Sequence, residues 1–365
     1  MSFVLHGLGT ATPPDRLTRA DAVAVAKVLA DPAISHWVED IYSGSGVNVR
    51  HQVIGRDVTD DVVNGTAFTG SPYLLHPARP NGPGTAARMA IYEAQAGPLA
   101  VRAAKAALAE ADFAPDSITH LITVSCTGFV SPGVDFELIS ALGLPDTVER
   151  VNVGFMGCHG TLNGLRVANA YATADPTARV LLAAVELCSL HYYYGGDPSK
   201  LIANALFADG AAALVGSGEP KAGGYRVLAT GSVRIPASVP DMGWKVGDHG
   251  FEMALTKRVP KLIAAHLKPW LTGWLAKHGL TVGAVGGWAV HPGGPKILTS
   301  TCEALGLPES AVGYSRQVLA ECGNMSSPTV WFIVDRMRRA GLRGAVVVLG
   351  FGPGLVAEAA LLVAE

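Results

Sequence analysis

The runs HLITVSCTGF (120–129), RVLLAAVELCSL (179–190), GAAALVGSG (210–218) and GAVVVLGF (344–351) are mostly apolar and barely alternate. A strand with one face in water alternates apolar and polar residues, so strands of this kind must be covered on both faces. Stretches of helical character supply the cover, at Pro98–Ala111, Thr161–Ala172, Val259–His278, Pro295–Ala304 and Pro328–Ala340. Further strand-like runs are SFVLHGLGTA at the start, YRVLATGSVRI after residue 224, AVGGWAVHPGG before residue 295 and GLVAEAALLVA at the end. Strands alternating with helices predict an α/β protein with sheet buried between helical layers. The same order of elements recurs in the second half. That suggests an internal duplication, with one half over residues 1–220 and the other over 221–365.

Composition narrows the function. Of the 365 residues, 49% are hydrophobic and 16% charged, and the net charge is −2. No block of Lys and Arg occurs, so neither a nucleic-acid stripe nor a polybasic membrane patch is expected. The start, MSFVLHGLGTATPPDR, lacks the basic opening and apolar run of a secretion signal. The apolar stretch Gly344–Glu365 contains Gly350, Gly352, Pro353, Gly354 and Glu358, which fits strand–turn–strand better than a membrane span. A soluble cytoplasmic protein is the expectation. The five cysteines, Cys126, Cys158, Cys188, Cys302 and Cys322, form no CxxC pair and no zinc spacing. Reduced thiols and no metal follow. The stretch Asn64–Gly84 is rich in Gly and Pro and reads as a long loop covering a site or a subunit contact.

One cysteine stands in unusual surroundings. The strand-like ERVNVGF runs into Met156-Gly157-Cys158-His159-Gly160, and a helix follows. A strand-to-helix turn with small neighbours exposes a nucleophile. The helix N-terminus favours its thiolate and offers N–H groups to an oxyanion. The plain alternative is a small buried cysteine at a tight turn. His291 ends the strand GGWAV and opens HPGGPKIL, where glycines permit close approach; a capping or core histidine is the alternative. Asn324, in ECGNMSSP, precedes another helical stretch and is either an ordinary cap residue or an amide donor aimed into a cavity. Together these three residue types can accept an acyl group as a thioester. An imidazolium with an amide can also stabilise an enolate as a carboxylate leaves as CO2. Carbon–carbon bond formation and hydrolysis are both open.

Five motifs in order carry a resemblance. They are GFMGCHG around Cys158, NALFADGAAALV around Phe207, VHPGGPKIL around His291, ECGNMSS around Asn324 and GFGPGL from Gly350. Over most of its length the chain resembles the type III polyketide synthases, the chalcone and stilbene synthase superfamily. VSCTGF (124–129) and VELCSLHY (185–192) look more like bacterial members. The resemblance implies a thiolase-like, duplicated αβαβα layered fold with two mixed sheets and buried central helices. It implies decarboxylative condensation of malonyl-CoA onto an acyl-CoA starter, then cyclisation to an aromatic or pyrone product. Cys158 would hold the acyl chain. His291 would stabilise the thiolate and, with Asn324, bind the thioester oxygen during decarboxylation. Phe207 matches an aromatic gate, and Cys126, Cys188, His191 and Ser326 match the cavity wall. Gly350–Gly354 matches a loop lining the cyclisation pocket. Arg50 and Lys296 are candidates for coenzyme A contacts. Coenzyme A thioesters are substrates, no metal or redox cofactor is implied, and a homodimer is.

The chain also departs from that pattern. His159 follows the nucleophile where many relatives carry a small or apolar residue. His191 stands where smaller residues are usual and would shorten or redirect the cavity. Ser131 replaces a methionine that in plant relatives reaches into the neighbouring subunit, and the loop at 64–84 has no evident plant counterpart. The alternatives are a single-condensation 3-ketoacyl-acyl-carrier-protein synthase III, a non-catalytic acyl-CoA-binding relative and a thioester hydrolase.

Overall fold

The computed structural model describes residues 2–365. The first half contains β1 (Val4–Ala11), β2 (Arg16–Thr18), α1 (Arg19–Leu29), α2 (Val38–Gly44), β3 (Val49–His51), α3 (Arg56–Asn64) and α4 (Thr85–Ala111). It continues with β4 (His120–Ser125), α5 (Val134–Leu142), β5 (Glu149–Gly154), α6 (Gly160–Ala174), β6 (Arg179–Leu187), α7 (Pro198–Leu206) and β7 (Asp209–Ser217). The second half runs β8 (Tyr225–Arg234), β9 (Met242–Gly247), β10 (Gly250–Leu255), α8 (Val259–Ala276) and β11 (Gly287–Val290). It ends with α9 (Pro295–Leu305), α10 (Gly313–Cys322), α11 (Thr329–Arg339), β12 (Ala345–Gly352) and β13 (Val356–Ala364).

Nine strands form one sheet in the order β11-β12-β13-β8-β1-β7-β6-β4-β5. The two mixed sheets expected from the resemblance are its two halves, joined at β1–β8 by the pairs Val4–Arg226 and Leu5–Tyr225. Each half repeats one plan. Outward from the seam the pairings run antiparallel, antiparallel, parallel: β1–β7–β6–β4 on one side and β8–β13–β12–β11 on the other. β5 extends the first half alone.

The apolar runs have a hidden period of two. Ile122, Val124, Leu182, Ala184, Val346 and Val348 join one core with α6 and α11. Their neighbours Leu121, Leu181 and Ala183 pack with α4 in a second core, and Val347 and Leu349 pack with α8 and α9 in a third. Nearly every residue of β4, β6 and β12 is therefore buried, but on alternate faces. The result is helix, sheet, helix, sheet, helix, with α6 and α11 in the middle. α11 is buried at every residue from Thr329 to Asp335.

Two sequence readings need correction. The helix expected from Pro98 starts at Thr85 and runs through Pro98 to Ala111. Proline removes one N–H and crowds the preceding turn, yet the helix continues because its flanks are tightly packed. Gly97 abuts Glu137 of α5, and Gly7 and Gly9 of β1 leave room for the α4 backbone itself. A Cβ at Gly7 would lie 2.1 Å from the Ala107 carbonyl oxygen. The hairpin β9–β10 was not anticipated at all, although GDHG between W-x-V and F-x-M is a turn signal. No helix among the described residues is long and apolar enough to cross a membrane.

Candidate active site

The two central helices start at the same place. The hydroxyl of Thr161, in the first turn of α6, donates to the backbone oxygen of Ser327, just before α11. Cys158 precedes α6 and Asn324 lies upstream of α11, so both residues sit where two helix N-termini present partial positive charge. His291 follows β11, held by its backbone N–H on Leu349 O at 2.7 Å. Cys158 and Asn324 thus meet at the helix ends, while His291 lies beside the Leu349–Gly350 end of β12, against which His159 packs, and lines neither of the two cavities near Cys158.

Local backbone restrains the site. Phe155 and Ser326 have positive φ, 60° and 55°, and Gly157 takes 78°. Only glycine adopts such angles without strain, so the turn on either side of Cys158 is tightly constrained. Asn324 is locked to the strand-like Leu206–Ala208 segment, with its N–H on Leu206 O and its O receiving Ala208 N–H, each at 2.9 Å. Its Oδ1 accepts the Ser326 N–H at 2.8 Å. The amide orientation is thereby set, and Nδ2 remains free to donate towards Cys158. Ser326 Oγ donates to Cys158 Sγ at 3.5 Å and lies 3.4 Å from Cys126 Sγ.

Behind them sits a carboxylate that sequence reading passed over. Glu186 is fully buried and receives Cys126 N–H at 3.0 Å, Cys126 Sγ at 2.9 Å, Thr127 Oγ1 at 2.7 Å and Ser327 Oγ at 2.6 Å. Burial raises its pKa, opposed by these donors. A lone Glu inside the apolar run RVLLAAVELCSL was the available signal.

Cys158 is half-buried and opens on a cavity of about 30 Å³, walled by Cys126, Thr127, Ser326, Gly352, Pro353 and Trp244 among others. A second cavity of about 290 Å³ lies beyond it. Phe207, Cys188, Trp244 and Met253 line both, so Phe207 stands at the junction. The loop after α3 contributes Tyr73 and Asn81 to the larger cavity. Asp61 anchors that loop through Thr66, Phe68 and Thr69.

Several expected wall and tunnel residues lie elsewhere. His191 lines the larger cavity, but its ring is tied at both nitrogens. Nε2 lies 2.6 Å from Thr127 O, and Nδ1 accepts the Phe251 N–H at 2.9 Å. It is thus a strut for β10 as well as a wall. Gly354 lines neither cavity; its φ of 74° turns the chain so that Gly352 and Pro353 face Cys158. Ser131 is exposed and lines neither cavity. Arg50 borders the larger cavity but is buried, and its guanidinium donates to the carbonyls of Asn204, Ala205 and Phe207 at the end of α7. That cation is occupied as a helix C-cap rather than free for phosphates. Lys296 is exposed in the first turn of α9 and borders neither cavity. Lys200 does line the larger one, paired to Glu252 at 2.9 Å.

The electrostatics correct the expectation of an acidic thiol. Burial pushes the Cys158 thiol up to about 12, against the opposing pull of Ser326, its own backbone N–H and Asn324. Burial, with His159 second, lowers His291 to about 3. Both His291 nitrogens are buried without a hydrogen-bond partner. Desolvation outweighs the helix dipoles while the site is empty of charge. Burial thus favours the neutral thiol and the neutral imidazole. Starter loading onto Cys158 is therefore expected to be flat across roughly pH 6 to 9. Quenched-flow mass spectrometry of the acyl-enzyme checks this, and a titration limb inside that window would refute it.

Comparison with known proteins gives one answer. The family of chalcone and stilbene synthases matches through its N-terminal domain over residues 4–220 and through its C-terminal domain over 228–364. The chain is 31% identical over 369 residues to the alpha-pyrone synthesis polyketide synthase-like Pks18 of Mycobacterium tuberculosis, covering 98% of this chain and 90% of the relative. It is 32% identical over 364 residues to 1,3,6,8-tetrahydroxynaphthalene synthase of Streptomyces peucetius, covering 97% and 91%. Among solved structures, PKS-I of the brown alga Ectocarpus siliculosus superposes with a TM-score of 0.91 at 32% identity, covering 100% of this chain and 98% of that one.

Proposed function

The chain belongs to the chalcone and stilbene synthase family and is a type III polyketide synthase, and on that premise we propose how its own residues carry the reaction. Cys158 Sγ attacks the carbonyl of an acyl-CoA starter while its proton passes to His291, and coenzyme A leaves with that proton. Malonyl-CoA then enters past Phe207. His291 and the free Nδ2 of Asn324 hold its thioester oxygen while the carboxylate leaves as CO2, and the electron pair becomes an enolate. The enolate carbon attacks the thioester on Cys158, the carbon–sulfur bond breaks, and the longer chain returns to the sulfur from coenzyme A. After the last round the chain cyclises to an aromatic ring or pyrone. No metal or redox group is needed for any of these steps.

The observation that carries this reading is the locked Asn324 amide. An amide whose oxygen is engaged and whose nitrogen faces a thiol at two helix N-termini suits a site built for negative oxygen. The larger cavity, sharing four walls with the smaller, supports entry of the coenzyme A arm from that side, with Lys200 at its edge in place of Arg50. The test is incubation with malonyl-CoA and a panel of acyl-CoA starters, read by mass spectrometry. Cyclised products containing several malonate units support it; a single condensation or free acids alone would overturn it.

We also propose a homodimer. β5 ends the sheet with an unpaired edge, and Phe129, Phe136, Phe155 and Met156 near it are 59%, 47%, 38% and 41% exposed. Exposed apolar side chains grouped beside a strand edge suit a self-association surface. Sedimentation as a monomer at micromolar concentration would remove the proposal.

The strut made by His191 yields a further expectation. His191→Ala removes two hydrogen bonds and a stack on Phe251 at 4.2 Å. It is expected to destabilise the fold by about 1–3 kcal/mol and to shift products towards greater length as the β9–β10 hairpin loosens. Product profiling with a thermal melt reads both; unchanged product lengths would sink the idea.

A further inference from the structure

The reaction above leaves one buried ring without a task. His159, next to the nucleophile, is 3% exposed. Its Nδ1 lies 2.9 Å from Asn163 Oδ1, and Asn163 Nδ2 donates to Glu358 Oε1 at 3.2 Å. Glu358 is also paired with Arg166. Because the amide nitrogen of Asn163 faces a carboxylate, its oxygen faces the imidazole. Nδ1 therefore carries the proton, and Nε2 carries a lone pair. That Nε2 is buried and has no partner.

The ring presses on the wall of the catalytic cavity. A Cβ added at Gly352 would lie 2.4 Å from His159 Nε2, and one at Gly350 would lie 3.1 Å from His159 Cβ. On the other side of the nucleophile, a Cβ at Gly157 would lie 2.3 Å from Pro353 Cδ. Gly352 and Pro353 both line the Cys158 cavity. The two neighbours of Cys158 thus grip one turn between them, Gly157 against Pro353 and His159 against Gly352. The anchor on Asn163 and Glu358 keeps the ring from turning away.

We propose that His159 is a positioning residue for cyclisation specificity: its ring sets how closely the Gly352–Pro353 wall stands over the chain on Cys158, and so which ring closure that chain undergoes. This rests on the polyketide-forming reading above. Two closures compete at that wall. In a lactone closure an enol oxygen attacks the thioester carbon, the carbon–sulfur bond breaks, and the proton passes to sulfur. In a carbon–carbon closure an enolate carbon of the same chain attacks that thioester carbon instead, the carbon–sulfur bond breaks, and the thiolate takes up the proton lost in forming the enolate; the chain must fold differently beside Gly352 for each.

The test compares the ratio of lactone to carbocyclic products, normalised to starter loaded on Cys158, in the full-length protein. His159→Ala is expected to change that ratio by about tenfold, since small misplacements of reacting groups are costly. Gly352→Ala, which pushes a methyl into the ring, is expected to move it as well and guards against poor folding of the first variant. The double variant His159→Ala/Gly352→Ala refills the notch, and His159→Phe restores the ring shape; both are expected to return the ratio to near the wild-type value. A structural defect alone would lower yield without moving the normalised ratio. An unchanged ratio in both single variants, or a shift that neither refilled variant reverses, would overturn the proposal. Absence of any malonate-derived product from the wild type would overturn the underlying reading, and this proposal with it.

Discussion

Cys158→Ala is expected to abolish polyketide formation, with turnover falling by about 10⁴-fold or more. No other thiol is placed to replace it. Cys126 donates to Glu186 and is held far towards the neutral form by burial. Cys188 borders the same cavity but is likewise buried and pushed up. Intact-protein mass spectrometry should show no acyl adduct on the variant after incubation with any starter. Slow release of CO2 from malonyl-CoA should persist, because His291 and Asn324 remain. An acylated, turning-over variant would show that the nucleophile is elsewhere.

The second large effect falls on Asn324. Asn324→Ala keeps the backbone pairing with Leu206 and Ala208, which depends on no side chain. It removes one preorganised donor to the developing enolate, a loss of about 10²–10³-fold in decarboxylation. Loading of the starter should suffer far less, because Cys158 also has its own N–H and Ser326. Asn324→Asp should be worse than alanine, since an anion would face an anion. Gln should rescue little, because the extra methylene breaks the fit of Oδ1 to Ser326 N–H at 2.8 Å. Radiolabelled CO2 release and single-turnover acylation, measured on the same samples, separate the two steps. Equal losses in both would contradict the role given to the amide.

Much of this was readable in the chain because apolar runs and glycine turns are local signals. HLITVSCTGF and GAVVVLGF declare strands buried on both faces, and Cys158, His291 and Asn324 stand out by their surroundings. What escaped was decided by distant contacts. Pro98 looks like a helix start until α5 and β1 pack around it. Arg50 looks free until the end of α7 claims its guanidinium, and His191 looks like a wall until β10 uses both its nitrogens. The acidity of Cys158 was misjudged for a similar reason. A helix N-terminus is visible in sequence, whereas the dehydration that overrides it belongs to the assembled site. Glu186 was missed because its burial is made tolerable by donors from Cys126, Thr127 and Ser327, none of which adjoins it in sequence.

The small cavity at Cys158, about 30 Å³, has room for about one or two water molecules. A chain of several malonate units is far larger, so it must displace these walls or extend past Phe207 into the larger cavity. Most of the walls are turns at strand and helix ends, among them Cys126–Thr127, Gly157–Cys158, Ser326 and Gly352–Pro353, held by the sheet and the buried helices they join. The side formed by Met242, Trp244 and Met253 belongs to a separate two-stranded hairpin. Its ties across to the rest include Trp244 Nε1 on Cys126 O at 2.6 Å, Gly354 N–H on Met242 O at 2.7 Å and the His191 strut. Product length would then depend on the compliance of that hairpin as well as on empty space.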